Sequence, residues 1–317
     1  KSFIYIALLC VAFYAAVFPF IQYAPDLLIN KFNFTSVLPE GGFQINGSTS
    51  FGTAVIYIGL FIYALMFAIV PTKMKNATNK AFSVIVIVGT FALFAYFLRD
   101  TLAIWFRNGS KTSSLIPLGT IIFTPIFGNY VDRKGKAASL MILGSLLLIF
   151  AHLSLSVFDN VLLAYLGLIS LGIAFSLVPA AMWPSVAKIV AQNRLGTAYS
   201  TMFTIQNWGL GAFFWGIGAL LQAVNPKVVA NRQALNAKLE GAGLSQSEIS
   251  QEIIKMKDPN IVSQFGEYTQ QYVYDYTIPI FILVICGVIS IFLAYKLKQA
   301  DKKQGYGLEL PSGAEAP

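Results

Sequence analysis

Thr124-Pro-Ile-Phe-Gly128-Asn-Tyr-Val-Asp132-Arg133-Lys134-Gly135-Lys136 is the stretch that decides the class of this chain. It emerges from a run without charge between Thr112 and Val131, delivers Asp132, Arg133, Lys134 and Lys136 within five residues, and gives way to a second uncharged run, Ala137 to Phe158. Two membrane spans joined by a very short charged hairpin is what that pattern predicts. In such a hairpin Gly128 lets a neighbouring helix approach closely and Asp132 can sit against a positive helix N-terminus. Gly135 turns the chain, and the cations stay in water on the cytoplasmic side.

The composition agrees. Of 317 residues, 11% are charged and 56% hydrophobic, and the mean hydropathy is +0.66, where a soluble domain is nearer a quarter charged. An integral membrane protein is expected, with the lipid bilayer as its first partner. A formal charge of +8 does not point to nucleic acid, because the cations cluster beside apolar runs, as orientation signals do. Cys10 and Cys286 fall inside apolar segments and are read as packing residues. The first residue is Lys1 and an apolar span follows at once, so an upstream part of the natural polypeptide is expected to be missing.

A span needs about 20 mostly apolar residues to cross a hydrocarbon core roughly 30 Å thick. Eight segments qualify, at about 3–23, 51–70, 81–98, 114–131, 138–157, 160–187, 197–222 and 277–295. The expected fold is an all-α transmembrane bundle of about eight spans. Alternate connections gather Lys1, Lys73, Lys75, Lys80, Arg133, Lys134, Lys136, Lys188, Arg194, Lys296, Lys298, Lys302 and Lys303 on one side. The excess of cations in short loops makes that side cytoplasmic and puts both ends of the chain there.

The chain therefore divides into a first span (1–30), an inserted pair (51–98), core spans (114–222) with the loop signature at 128–136, an extracytoplasmic insertion (225–276), a last span (277–296) and a cytoplasmic tail (297–317). Span one reads as ending in Pro19 and Pro25, and the inserted pair, without an ionisable group at depth, as lipid-facing. Arg99 and Asp100 read as a solvated ion pair. The insertion predicts a helix from Val228 to Leu239, then a second one opened by the capping box of Ser245 and Glu248 and stopped at Asp258-Pro259. The Gly- and Pro-containing tail after Lys303 reads as disordered.

Spans six and seven differ from the rest. Pro179 and Pro184 remove backbone donors from span six and predict a hinge whose freed carbonyls face protein or water. On span seven, Ser200, Thr204, Asn207 and Gly211 share one helical face, a polar strip on an otherwise apolar helix. Gly209, Gly211 and Gly216, the last with Ala212 four residues before it, form small-residue contact patterns. An amide in hydrocarbon needs partners: Gln206 reads as an interhelical bond that fixes the bundle, whereas Asn207 divides evenly between that role and a lining for a polar solute. Trp183 reads as a cavity wall or an interfacial anchor. Asn129 and His152, the only histidine, read as satisfied packing residues.

Gly128-x-x-x-Asp132-Arg133-x-Gly135-Lys136 resembles the loop signature of the major facilitator superfamily, which lies between the second and third helices of each six-helix half. Tyr130 departs from it, standing where the family has an aliphatic residue. Trp183-Pro184, Leu195 to Tyr199, Ile205-Gln206-Asn207 with Gly209, Val17-Phe18-Pro19-Phe20 and Thr124 to Gly128 extend the resemblance to the C-terminal half of one branch of that superfamily. Its animal members are lysosomal dipeptide transporters and its bacterial members permeases. The resemblance implies six of the spans as the C-terminal half, two extra spans, and an absent N-terminal half as partner.

It further implies alternating access for a small polar solute, such as a dipeptide or another organic solute, without a cofactor or metal, in a bacterial inner membrane. Asp132 and its cations would latch the cytoplasmic gate, while Trp183, Tyr199, Ser200, Thr204 and Asn207 would line the path. No Asp or Glu lies at depth in the expected spans, so proton coupling would need the absent half. A membrane-embedded enzyme is disfavoured, because a single His with no acid at depth supplies neither a base pair nor metal ligands. The alternative function is a scaffold that presents the 225–276 hairpin to a partner.

Overall fold

A computed structural model describes residues 1–35, 52–243, 245 and 272–311. The expected second insertion helix, the outer loop before residue 52 and the last six residues lie outside the described residues. What is described is helical: α1 Ser2–Phe32, α2 Gly52–Lys73, α3 Ala77–Phe97, α4 Arg99–Phe106, α5 Gly109–Ser113, α6 Leu115–Lys134, α7 Ala137–Ser156, α8 Val161–Ile189, α9 Leu195–Val224, α10 Pro226–Gly241 and α11 Thr277–Gln304.

Among the described residues seven helices are long and apolar enough to cross a membrane: α1, α2, α3, the continuous α5–α6 stretch, α7, α8 and α11. The protein is an integral, multi-pass membrane protein. The expected seventh span, α9, is 30 residues long and is not among these seven. Each helical crossing satisfies its own backbone bonds, the only solution open to a single segment in lipid.

The prolines of α1 do not end it. The helix runs through Pro19 and Pro25 to Phe32 and closes on Asn33, whose left-handed backbone (φ 55°) lets its N–H reach the Leu28 carbonyl. Each proline removes one donor, and the dense packing of Val17, Phe20, Ala24, Leu27 and Leu28, all fully buried, outweighs that loss. Asp26, three residues beyond the expected end of span one, thereby becomes part of the helix. In α8, Pro179 and Pro184 likewise sit within one uninterrupted helix, the first half-buried and the second exposed.

The core lies where α7 packs between α8 and α11 and α1 packs across α11, α9 and α8. Small residues set these distances. A Cβ on Gly144 would run into Val178 Cγ2, and one on Gly287 would stand 2.6 Å from Ile149 Cγ1. Gly119 and Gly172 bring α6 and α8 together, a Cβ on the first lying 3.6 Å from the Cα of the second. The α2–α3 pair sits outside α6, and α3 buries only Ser83 and Ile87. Arg99 and Asp100 are 3.7 Å apart with both side chains largely exposed.

Ser2 hydrogen-bonds Gln304 at one end of the bundle, and Lys31 donates to the Ser156 carbonyl at the other. The first is the hairpin end, where α6, α8 and α11 finish and α7 and α9 begin. At the far end the side chain of Asn225 exchanges two hydrogen bonds with the backbone of Asp275, at 2.8 and 3.0 Å, and Arg232 donates to the Tyr272 carbonyl while stacking 3.8 Å from the Tyr274 ring centre. α10 is thus tied to the segment entering α11.

Candidate functional site

The face that α9 turns away from the core is the expected strip. Ser200, Thr204, Asn207 and Gly211 are all exposed, and the Thr204 hydroxyl bonds back to the Ser200 carbonyl at 2.9 Å. Trp208 and Trp215 flank the strip, each 77% exposed near the middle of the helix. α6 has a similar open face, where exposed Pro117, Thr124 and Asp132 and a half-buried Gly128 recur at helical spacing.

These faces contrast with those of α7, α8 and α11. There the exposed residues are Leu143, Leu146 and Phe150, then Leu162, Leu166 and Ile169, then a full stripe from Ile278 through Phe281, Ile285, Val288 and Phe292. Large aliphatic and aromatic side chains suit acyl chains. Small and polar ones do not, and an indole N–H at mid-depth needs a partner that lipid cannot offer.

Gly128 does not make the close approach expected of it among the described residues: nothing lies within 4 Å of a Cβ built there. The same is true of Gly211 and Gly216, so among the described residues the small-residue pattern of Ala212 and Gly216 brings no neighbouring helix close at Gly216. Gly209 does make its close approach, a Cβ there meeting Val11 Cγ1 at 2.5 Å on α1. One turn away Gln206 is buried and its Oε1 accepts from the Cys10 thiol at 3.2 Å, the bundle-fixing role its sequence suggested.

Trp183 and Tyr199 come together with residues the sequence did not single out. The Trp183 Nε1 donates to the Tyr14 hydroxyl at 3.1 Å, and the Tyr199 hydroxyl donates to the Trp183 carbonyl, also at 3.1 Å. The Trp183 ring stacks on Phe203 (4.8 Å, 22°), and Tyr14 stacks on Phe18 (5.5 Å, 19°), against which Phe175 stands edge-on. α1, α8 and α9 so form a half-buried aromatic wall beside the polar strip. Tyr14 and Phe18, four residues apart, were legible as one helical face; that this face meets Trp183 was not. Toward the hairpin end, Phe3, Arg194, Thr197 and Thr201 line a cavity of about 420 Å³ between α1 and α9.

The loop signature is a two-residue turn. Gly135 has φ 71° and ψ −131°, and Lys136 takes a left-handed backbone (φ 62°) before α7 begins. Asp132, Arg133, Lys134 and Lys136 are exposed, and Asp132 and Asp301 both act electrostatically on Lys188. Glu309 seats its carboxylate on the N-terminus of α7: its Oε1 accepts the Ser139 N–H at 2.9 Å and its Oε2 the Ser139 hydroxyl at 2.7 Å.

The tail, expected to be disordered, is thus ordered as far as residue 311. Lys136 and Ala137 donate their N–H groups to the carbonyls of Glu309 and Leu308, at 3.1 and 3.0 Å. Leu308 is fully buried, and its N–H meets Asp301 Oδ1 at 3.0 Å. Gly135 must be glycine for a second reason, since a Cβ there would collide with the Leu310 carbonyl.

His152 is buried, with Nδ1 2.9 Å from the Leu148 carbonyl and Phe20 edge-on at 5.3 Å; it packs as expected, but its Nε2 makes no hydrogen bond among the described residues, so it is satisfied at one ring nitrogen only. Among the described residues no group of three or more His, Cys, Asp or Glu side chains could hold a metal ion.

The chain is similar to the lysosomal dipeptide transporter MFSD1 of Gallus gallus, with 32% identity over 116 residues, 36% of this chain and 26% of that protein. It is 30% identical to the Homo sapiens protein of the same name over 117 residues, 37% of this chain and 25% of that one, and 33% identical to the Danio rerio protein over 99 residues, 31% and 21%. These relatives are major facilitator superfamily transporters. The matches span about a quarter of the length of these curated relatives. No family model matches the chain, and no solved structure matches it.

Proposed function

We propose that the chain is one bundle of an alternating-access transporter for a small polar solute, and that the open faces of α6 and α9 line its path against a second helical bundle, the N-terminal half implied by the sequence. The observation that carries this reading is the contrast between faces: α7, α8 and α11 expose stripes of large hydrocarbon side chains, whereas the open faces of α6 and α9 set Thr124, Gly128, Ser200, Thr204 and Asn207 among exposed aromatics, Tyr130, Phe203, Trp208 and Trp215. An unpaired Asn amide in hydrocarbon is costly, and a wet path or an apposed helix removes that cost.

In this reading Trp183, Tyr199 and the aromatic wall give a solute one rigid, apolar side, while Asn207 offers it a donor and an acceptor. Asp132 and its cations, with the hairpin end cytoplasmic by its excess of lysines, act at the gate. Pro179 and Pro184 supply the hinge of α8. A dipeptide is the solute we favour because the relatives are named for it. A bacterial inner membrane is the location carried forward from the sequence, although the relatives are named lysosomal.

Saturable uptake of a radiolabelled dipeptide by vesicles holding the complete polypeptide tests the reading. Flux that is lost in Asn207→Leu and Trp183→Phe supports the lining assignment. Flux that survives the loss of both side chains removes it.

A further inference from the structure

The tail is held in a way the gate reading does not require. Residues 305–310 leave α11 through Gly305 (φ 68°), turn again at Gly307 (φ 72°), and double back across the hairpin end. They touch three helices. On the hairpin they meet Gly135, Lys136, Ala137 and Ser139; on α8 they receive Lys188 Nζ at the carbonyls of Gly307 and Leu310, both at 2.9 Å; on α11 they meet Asp301 and Lys298, whose Nζ lies 3.4 Å from Glu309 Oε2.

We propose that residues 305–310 are a strap that clamps the Asp132–Lys136 hairpin to the ends of α8 and α11, and that these ends part only when the strap lifts. Leu308 is the anchor and Glu309 the pin. The Glu309 carboxylate bonds Ser139 of α7 and Lys298 of α11, while Lys188 of α8 and Asp301 of α11 hold the strap by its backbone, so removing that carboxylate releases the strap directly from α7 and from Lys298. Both glycines give it the left-handed turns a removable segment needs without strain. The hydrogen bonds to Glu309 are charge-assisted and partly exposed, strong enough to order six residues yet open to competition by water.

The strap concerns the same loop as the proposed gate but is decided by conformation, without flux. The test uses the 317-residue chain in lipid nanodiscs. Amide exchange is read at Lys136, Ala137 and Ser139, and distances between spin labels at Lys134→Cys and Gln299→Cys. In Glu309→Gln these amides should exchange about tenfold faster or more, as loss of a charge-assisted bond predicts, and the distance distribution should broaden to longer values. A chain ended at Gln304 should do both more strongly. If that chain fails to fold, Glu309→Gln and Lys298→Met decide the matter by the same two readouts. Unchanged exchange and an unchanged distribution would overturn the strap. Dipeptide flux through the complete polypeptide, measured apart, bears only on the transport reading.

Discussion

Gln206 and Asn207 are consecutive on α9, yet the first is buried against α1, where it accepts the Cys10 thiol at 3.2 Å, and the second opens outward. Their substitutions should separate. Gln206→Leu leaves no acceptor for Cys10 and should lower the stability of the detergent-solubilised bundle by about 0.5–2 kcal/mol, with uptake falling only in proportion to folded protein. Asn207→Leu should leave stability within roughly 0.5 kcal/mol and reduce uptake about tenfold or more. Thermal unfolding and uptake on the same preparations check both.

Trp183 joins α8 to α1 through its indole N–H and to α9 through its carbonyl and ring face. Trp183→Phe keeps the stack on Phe203 and loses the bond to Tyr14. It should cost about 0.5–1.5 kcal/mol of stability, and Tyr14→Phe about the same. The double variant should be less than additive, because both remove one bond; a double-mutant cycle on unfolding reads the coupling.

Glycine substitutions should sort by contact. Gly144→Ala drives a methyl into Val178 and should destabilise by about 1–3 kcal/mol. Gly211→Ala enters open space and should be neutral or stabilising by up to about 1 kcal/mol in the isolated chain, since alanine is the better helix former. In the complete polypeptide Gly211→Ala should instead impair uptake, the mark of a second bundle against that face.

Tyr276 is buried and donates to the Asp26 carboxylate, and burial first, then that negative charge, push its phenol above the usual range despite the opposing field of Arg232. The folded state therefore favours the neutral phenol. Its contribution is fully present below the unfolded value of about 10 and is lost as pH rises beyond it, because the unfolded chain then releases a proton that the folded chain keeps. Between about pH 10 and 12 the native chain should lose up to about 1.4 kcal/mol per pH unit more than Tyr276→Phe does, as followed by unfolding in detergent.

Much of the fold was legible in the sequence because hydrophobic runs of span length, broken by charged turns, have one physical solution in a bilayer. α1 outran its prediction because prolines were weighed locally, without the packing of Phe20, Leu27 and Leu28 that carries the helix through Pro25. The strap was missed for the opposite reason: Gly305-Tyr-Gly-Leu-Glu-Leu has the composition of a loose tail, and only tertiary contact gives Leu308 a pocket and Glu309 a helix N-terminus. At the site, periodicity found which residues of α9 share a face, and it found Gln206 and Gly209 as contacts. It could not pair helices, so Tyr14, Phe18, Phe175 and Phe203 went unassigned, as did the approach of Gly119 to Gly172.

The most direct test is thiol labelling of the complete polypeptide in membranes with a membrane-impermeant maleimide, at Asn207→Cys and Thr204→Cys, with Ile285→Cys on the hydrocarbon stripe of α11 as reference. The account predicts that both α9 positions label from water, that a bound dipeptide slows them, and that Ile285→Cys stays unlabelled. Labelling at none of the three positions, with all of them open to a lipid-soluble reagent, would put the α9 face in acyl chains and contradict it.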